Sequence, residues 1–77
     1  MNVSPSSQFA VCIANEGYKA SLERNKIYAV IDDCEAAADG DIRIVDESGE
    51  DYLYPAAWFV IVQVPQAVQD SIIRATA

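Results

Sequence analysis

The sequence predicts a mainly β domain built from five short strands, and three observations lead to that prediction. Short runs of β-branched and aromatic residues recur along the chain. Glycine, asparagine or proline separates these runs at close intervals. Hydrophobic residues make up 52% of the 77 residues, which is more than a disordered chain carries. We therefore expect one domain with one packed core and no internal repeat.

The first two strands are predicted on either side of a polar loop. Gln8–Ala14 is an apolar run with aromatic and β-branched residues, typical of a strand. Gly17 falls in the loop that follows, and Asn25 is suited to a left-handed turn. The turn leads into the second predicted strand, Lys26–Ile31.

A short helical turn is predicted within the loop of residues 32–40. Asp33 is a good N-cap, Glu35–Ala38 are good helix formers, and Gly40 is a good stop. A single turn is expected, since so short a helix is unstable without packing partners.

The next two strands are predicted to form a hairpin. Asp41–Asp46 alternates between apolar and other residues, as a strand with one exposed face does. The segment ESGE then reverses the chain around Gly49, and Asp51–Tyr54 returns as the fourth strand.

Alternation along the fourth strand puts Tyr52 and Tyr54 on one face and Leu53 on the other. We expect Leu53 to face the core and both tyrosines to face outward, beside Pro55 and Trp58. The alternative is that these rings pack beneath the C-terminal helix or the first loop.

Proline punctuates the rest of the chain. Because Pro55 has no N–H to donate, strand pairing should stop there, and a 3₁₀ turn is predicted over residues 55–58. Trp58–Val64 is the fifth predicted strand.

The two ends of the chain have different compositions. Residues 1–7 are polar and predict a flexible tail, whereas residues 65–77 predict an amphipathic helix that begins at Pro65. Val68 and Ile72 share a face of that helix, which could close one end of the domain or join two copies into a homodimer.

Charge is concentrated in the middle of the chain. Twelve acidic residues stand against five basic ones, giving a net charge of −7. Such a balance disfavours binding to nucleic acid or to anionic membrane surfaces, and it favours solubility or a basic partner. A candidate acidic docking loop spans residues 32–41 and comprises Asp32, Asp33, Glu35, Asp39 and Asp41.

Residue types argue against catalysis. Without histidine, the chain lacks the commonest general base and any Ser–His or Cys–His pair. Cys34 lies among acidic residues, so a catalytic cysteine is not expected there. No calcium-loop or phosphate-loop pattern is present, so we expect no enzyme activity, metal or cofactor. Two cysteines and an N-terminus unlike a secretory signal lead us to expect free thiols in the cytoplasm.

Two stretches, GEDYLYPAAWFV and SLERNKIYAVI, resemble parts of the SH3-like barrels, and the predicted strand order extends the likeness over Gln8–Val64. The resemblance implies a five-stranded SH3-like barrel. In its peptide-binding members a proline and an aromatic residue three positions later line a shallow groove for proline-rich segments. Pro55 and Trp58 match these positions, and Tyr18 corresponds to a third groove residue by its order along the chain.

This chain also departs from the family. Asp41 and Ile42 stand where its members begin the third strand with tryptophan, and the first loop is shorter. The stretch DESGEDYLYP is also similar to short bacterial proteins of unassigned function, which implies a bacterial origin.

Two hypotheses follow. The first is a non-catalytic module that contacts a basic or proline-containing protein segment through an aromatic and proline surface formed by Tyr18, Tyr52, Tyr54, Pro55 and Trp58. The second is an accessory or regulatory subunit of an enzyme that docks through the acidic loop 32–41, with the aromatic rings serving only the fold.

Overall fold

The computed structural model describes residues 8–76 of the chain, and the side chains of residues 8–74. It is mainly β, as predicted, with five strands, a short helix, a 3₁₀ turn and a C-terminal helix. The predicted tail, residues 1–7, lies outside the described residues. The elements are β1 (Gln8–Cys12), β2 (Ile27–Ile31), α1 (Cys34–Ala38), β3 (Asp41–Val45), β4 (Asp51–Pro55), the 3₁₀ turn (Ala56–Trp58), β5 (Phe59–Val62) and α2 (Gln66–Thr76).

All five strands belong to one antiparallel sheet in the order β4-β3-β2-β1-β5. β4 and β5 are therefore the edge strands. Because these two edges do not pair with each other, the sheet is not closed, and the predicted closure into a barrel is not confirmed. No helix within residues 8–76 is long and apolar enough to cross a membrane.

Local sequence chemistry determines the turns as expected. Asn25 adopts a left-handed backbone with φ of 69° just before β2. Asp33 caps α1 by accepting a hydrogen bond from the Ala36 N–H at 3.0 Å. Gly40, with φ of 79°, ends that helical segment.

The end of β4 and the start of β5 differ slightly from the prediction. Pro55 is the last residue of β4, paired with Asp41, and the 3₁₀ turn begins after it at Ala56. Trp58 belongs to this turn, so β5 begins one residue later, at Phe59.

The hydrophobic core lies against one face of the sheet. Every strand contributes to it, and the loop between β1 and β2 adds one leucine. Its buried members are Ala10, Cys12, Leu22, Tyr28, Val30, Ile44, Tyr54 and Phe59.

The other face of the sheet is covered in its middle. Phe9 and Ala29 pair across β1 and β2 and are buried, although neither belongs to the main core. α2 packs against β2, with Ile72 and Ile73 half-buried. Because α2 packs against it, β2 at the middle of the sheet is buried on both sides.

The orientation predicted for β4 is wrong. Tyr54 is only 2% exposed and belongs to the core, whereas Leu53 is 39% exposed. The register with β3 explains this, because Tyr52 pairs with Ile44, a core residue, while Leu53 pairs with Arg43. The two tyrosines do share a face, as predicted, but it is the core face of the sheet. Tyr52 stays exposed there.

Candidate functional site

Four aromatic rings form a continuous cluster, here called the aromatic patch: Tyr18, Tyr52, Tyr54 and Trp58. The ring centroid of Tyr54 lies 5.4 Å from that of Tyr18, 5.2 Å from that of Tyr52 and 6.3 Å from that of Trp58. Tyr18 also contacts Trp58 at 5.8 Å and Tyr52 at 6.3 Å. These separations fall within the range in which aromatic pairs attract each other.

The rings of the patch differ in exposure. Tyr54 is buried and forms its floor, while Tyr18 is 40% exposed and Tyr52 is 51% exposed. Trp58 is half-buried, and the neighbouring Pro55 is exposed. The predicted site residues therefore do come together, with Tyr54 as a supporting ring instead of the outward-facing one that was expected.

The loop of residues 13–26 holds Tyr18 in place. The Tyr18 N–H donates to the Asn15 carbonyl at 2.9 Å, and the Tyr18 carbonyl accepts from the Leu22 N–H at 2.9 Å. Leu22 is fully buried, and its own carbonyl accepts from the Asn15 side chain at 2.9 Å. Because the loop is bonded to itself and anchored in the core, the backbone at Tyr18 is held in one position.

A buried carboxylate fixes Tyr54 from below. The Tyr54 hydroxyl donates to Asp46 Oδ2 at 2.5 Å, while Asp46 Oδ1 accepts from the Ser48 N–H at 2.9 Å and from Ser48 Oγ at 2.6 Å. Burial alone would raise the pKa of Asp46, but the bonds from Ser48 and Tyr54 outweigh it and lower that pKa. Burial, followed by the bond to Asp46, raises the pKa of Tyr54 to about 12.

A second set of contacts ties the first loop to the β3–β4 hairpin. Glu47 Oε2 accepts from Lys26 Nζ at 2.6 Å and from the Tyr28 hydroxyl at 2.5 Å, and the Glu47 N–H donates to the Ser21 carbonyl at 3.0 Å. The bonds from Lys26 and Tyr28 lower the pKa of Glu47. Burial and the bond to Glu47 raise the pKa of Tyr28. The two segments that carry Tyr18 and Tyr54 are thus held against each other.

The 3₁₀ turn joins the patch to the end of the acidic loop. The Ile13 N–H donates to the Trp58 carbonyl at 2.7 Å, which fixes the turn against the end of β1. The Ala56 N–H donates to the Gly40 carbonyl at 2.9 Å, and Pro55 pairs with Asp41. One end of the acidic loop therefore adjoins the proline of the predicted surface.

Within the acidic loop the carboxylates have different roles. Asp33 both caps α1 and forms an ion pair with Arg43 at 2.8 Å, and Arg43 also bridges to Asp51 at 2.7 Å. The bonds from the Ala36 N–H and from Arg43 lower the pKa of Asp33. Asp33 thus serves the fold. Asp41 is half-buried, and the acidic residues of the loop that remain exposed are Asp32, Glu35 and Asp39.

An open cleft of about 540 Å³ lies beside α1. Its walls combine apolar residues with Asp32, Asp41, Arg43 and the exposed Cys34. Within the described part of the chain, no three acidic, cysteine or histidine side chains are grouped to hold a metal ion.

Sequence reasoning missed Asp46 and Glu47 as parts of the site. Asp46 precedes Ser48 by two residues, a spacing typical of an aspartate that accepts a bond from the backbone of its own turn. That pattern indicates the turn, but only the hairpin register brings the same carboxylate to Tyr54.

Comparisons of the chain with models of known protein families, with curated proteins and with solved structures found no significant match.

Proposed function

We propose that the protein is a small non-catalytic interaction module that binds a protein segment through the aromatic patch. The observation that carries this proposal is the exposure of Tyr18 and Tyr52 beside Trp58, over the buried ring of Tyr54. Tyrosine and tryptophan are enriched where proteins bind one another, because each buries a large area at a small cost in side-chain entropy.

Preorganisation supports the same proposal. The loop that carries Tyr18 is bonded to itself and tied to the hairpin through Glu47. A partner would therefore meet rings that are already ordered, and the entropy cost of binding would be smaller.

The charge around the patch favours a basic or proline-containing segment. Pro55 pairs with Asp41, so an extended segment lying over the patch could place a lysine or arginine near the acidic loop. The net charge of −7 would attract such a segment and speed its association.

The finer identity of the fold belongs to the same proposal. The sheet order β4-β3-β2-β1-β5, with a 3₁₀ turn between β4 and β5, supports an SH3-like barrel. The proposed bacterial origin has its support in the likeness of DESGEDYLYP to short bacterial proteins. Free cysteines at positions 12 and 34 are compatible with a reducing compartment.

The test is selection from a displayed library of random peptides, followed by titration of the selected peptides. Trp58 is the only tryptophan and lies in the patch, so its fluorescence reports on binding there directly. Tyr52→Ala should weaken binding about tenfold or more, as loss of a central aromatic contact does. Leu53→Ala is the matched control, because Leu53 is exposed on the other face of the same strand.

The proposal fails if no peptide is enriched, or if Tyr52→Ala and Leu53→Ala bind the selected peptides equally well. Replacing each proline, lysine or arginine of a selected peptide by alanine then tests the expected preference. Equal binding of all these peptides would show that the partner need not be basic or contain proline, while the aromatic patch would remain the proposed binding surface.

A second candidate is an accessory subunit that docks through the acidic loop 32–41. It is favoured by the exposure of Asp32, Glu35 and Asp39 beside the open cleft. In that case Glu35→Lys with Asp39→Lys should abolish capture of the partner enzyme, and added salt should weaken it. Tyr52→Ala would then have no effect.

A further inference from the structure

The edge strand β5 carries an exposed apolar surface. β5 pairs with β1 on one side and forms one end of the sheet on the other. Val60 is 48% exposed and Ile61 is 49% exposed, on opposite faces of the strand. Proteins usually protect an edge of this kind with charge, proline or a covering segment, because its free backbone groups invite another strand.

Hydrogen bonds at the end of β1 show which groups of β5 face outward. Cys12 donates its N–H to Lys26 at 2.9 Å and accepts from Asn25 at 2.7 Å, so its backbone groups point away from β5. The directions of the backbone N–H and C=O groups alternate along a strand, so those of Val11 point towards β5. The backbone groups of its partner Val60 therefore point towards β1. Ile61 therefore directs its N–H and its carbonyl towards the free edge.

The 3₁₀ turn supports this assignment independently. The Ile13 N–H donates to the Trp58 carbonyl at 2.7 Å, so the backbone carbonyl of residue 58 is directed towards β1, as the backbone groups of residue 60 are. The Phe59 N–H instead donates to the Ala56 carbonyl within the turn, away from β1. The backbone N–H and C=O groups of the odd-numbered residues of β5 are thus directed towards the free edge of the sheet.

Charge distinguishes the two edges of the sheet. Residues 52–69 contain no charged side chain, and β1 next to β5 contains none either. At the opposite edge β4 begins with Asp51, ends with Pro55 and follows an acidic hairpin. Two copies joined at β5 would therefore place no charged side chain of this strand at the seam, whereas two copies joined at β4 would bring Asp51 and the acidic hairpin of both copies together.

We propose that β5 pairs antiparallel with β5 of a second copy of this chain, so that one sheet continues through a homodimer. A two-fold axis perpendicular to the sheet keeps the faces of both copies aligned, as pairing requires. In that register Ile61 lies opposite Ile61 of the second copy, and Val60 lies opposite Val62. Each outward-facing Ile61 N–H then donates to the carbonyl of the other Ile61.

This dimer uses a different surface from the C-terminal helix expected at first. α2 already packs against β2 in its own chain. The inference does not depend on the binding of a segment at the aromatic patch, because the pairing uses the backbone of Ile61, which is not part of the patch.

The test measures the mass of the full chain by sedimentation and light scattering over a wide range of concentrations. The unchanged protein should be a dimer, and Ile61→Lys should be a monomer because it sets two ammonium groups opposite each other. Leu53→Lys on β4 and Val68→Lys on α2 are matched controls of similar exposure, and both should remain dimeric. Circular dichroism and Trp58 fluorescence check that each variant is folded.

A second measurement covers the case in which Ile61→Lys does not fold. Hydrogen exchange at the Ile61 amide of the unchanged protein should slow as concentration rises, because that amide is bonded only in the dimer. The proposal is overturned by a monomer at every concentration, by a ring or larger oligomer, or by exchange at Ile61 that ignores concentration. It is also overturned if Val68→Lys or Leu53→Lys, instead of Ile61→Lys, dissociates the dimer.

Discussion

Tyr54→Phe removes a single hydroxyl from the floor of the aromatic patch and leaves the ring in place. That hydroxyl is the donor to Asp46 Oδ2, whereas Oδ1 keeps its two bonds from Ser48. Asp46 is only 7% exposed, so water cannot readily replace the lost donor. A hydrogen bond to a charged group contributes about 1.5–3 kcal/mol, so we expect the free energy of unfolding to fall by about 2 kcal/mol.

Urea unfolding followed by Trp58 fluorescence measures this loss. Tyr52→Phe is the matched control, because it removes a hydroxyl from an exposed ring of the same strand and should change stability by less than about 0.5 kcal/mol. The double-mutant cycle of Tyr54→Phe with Asp46→Asn should show coupling of about 1 kcal/mol or more. Equal effects of the two Tyr→Phe changes, or coupling near zero, would refute the assigned role of Asp46.

The pH dependence of that difference follows from the two pKa values. The Tyr54 pKa is raised from 10.0 to about 12 in the folded state, chiefly by burial and then by Asp46, so its contribution is complete below pH 10 and is lost between pH 10 and about 12. The Asp46 pKa is lowered from 3.8, so its contribution is present above pH 3.8 and is lost as the pH falls below that value. The stability difference between the unchanged protein and Tyr54→Phe should therefore form a plateau between these limits. A difference that keeps growing above pH 10 would contradict this account.

Three further outcomes are expected. Arg43→Ala breaks the partly exposed ion pairs with Asp33 and Asp51, so it should lower the free energy of urea unfolding only slightly, and less still in high salt. A large, salt-independent loss would show that Arg43 stabilises the fold in another way. In Gly40→Ala the added Cβ meets no atom within 4 Å, but the residue must adopt a left-handed backbone, so the free energy of unfolding should fall by about 1 kcal/mol in thermal unfolding. An unchanged free energy of unfolding would mean that the turn relaxes. A thiol reagent should label the exposed Cys34 in the folded protein but should label Cys12 only after unfolding. Cys12 is fully buried, and burial raises the pKa of its thiol. Two labels on the folded chain in mass spectrometry would contradict this.

The parts of the fold that depend on neighbouring residues could be predicted from the sequence. Asp33 caps a helix because its side chain reaches an N–H three residues ahead, and Asn25 tolerates a left-handed backbone wherever it stands. The strands themselves follow from short apolar runs. None of these features requires knowledge of distant pairing.

The face of β4 could not be predicted from its own alternation. A period of two shows that Tyr52 and Tyr54 share a side, but only the register with β3 decides whether that side faces the core. Leucine is the more apolar residue, so the local pattern alone favours Leu53 for burial. Tyr54 takes that place because Asp46 satisfies its hydroxyl, and this contact spans the whole hairpin.

The residues of the candidate surface could be predicted from the sequence, but which of its rings is buried and which are exposed could not. Order along the chain brought Tyr18 into the set, and the structure places it against Tyr54 and Trp58. The support beneath the rings, from Asp46 and Glu47, depends on contacts between a loop and a hairpin that are distant in sequence. Local patterns carry no information about such contacts.

The helix α2 follows all five strands in the chain, yet it packs against β2, the second of them. A growing polypeptide will thus have made all five strands while one side of β2 is still exposed to water. A chain truncated before Gln66 should keep this apolar surface exposed, so it should aggregate even though every strand is present. Expression of this domain for any purpose therefore requires the helix as well as the strands.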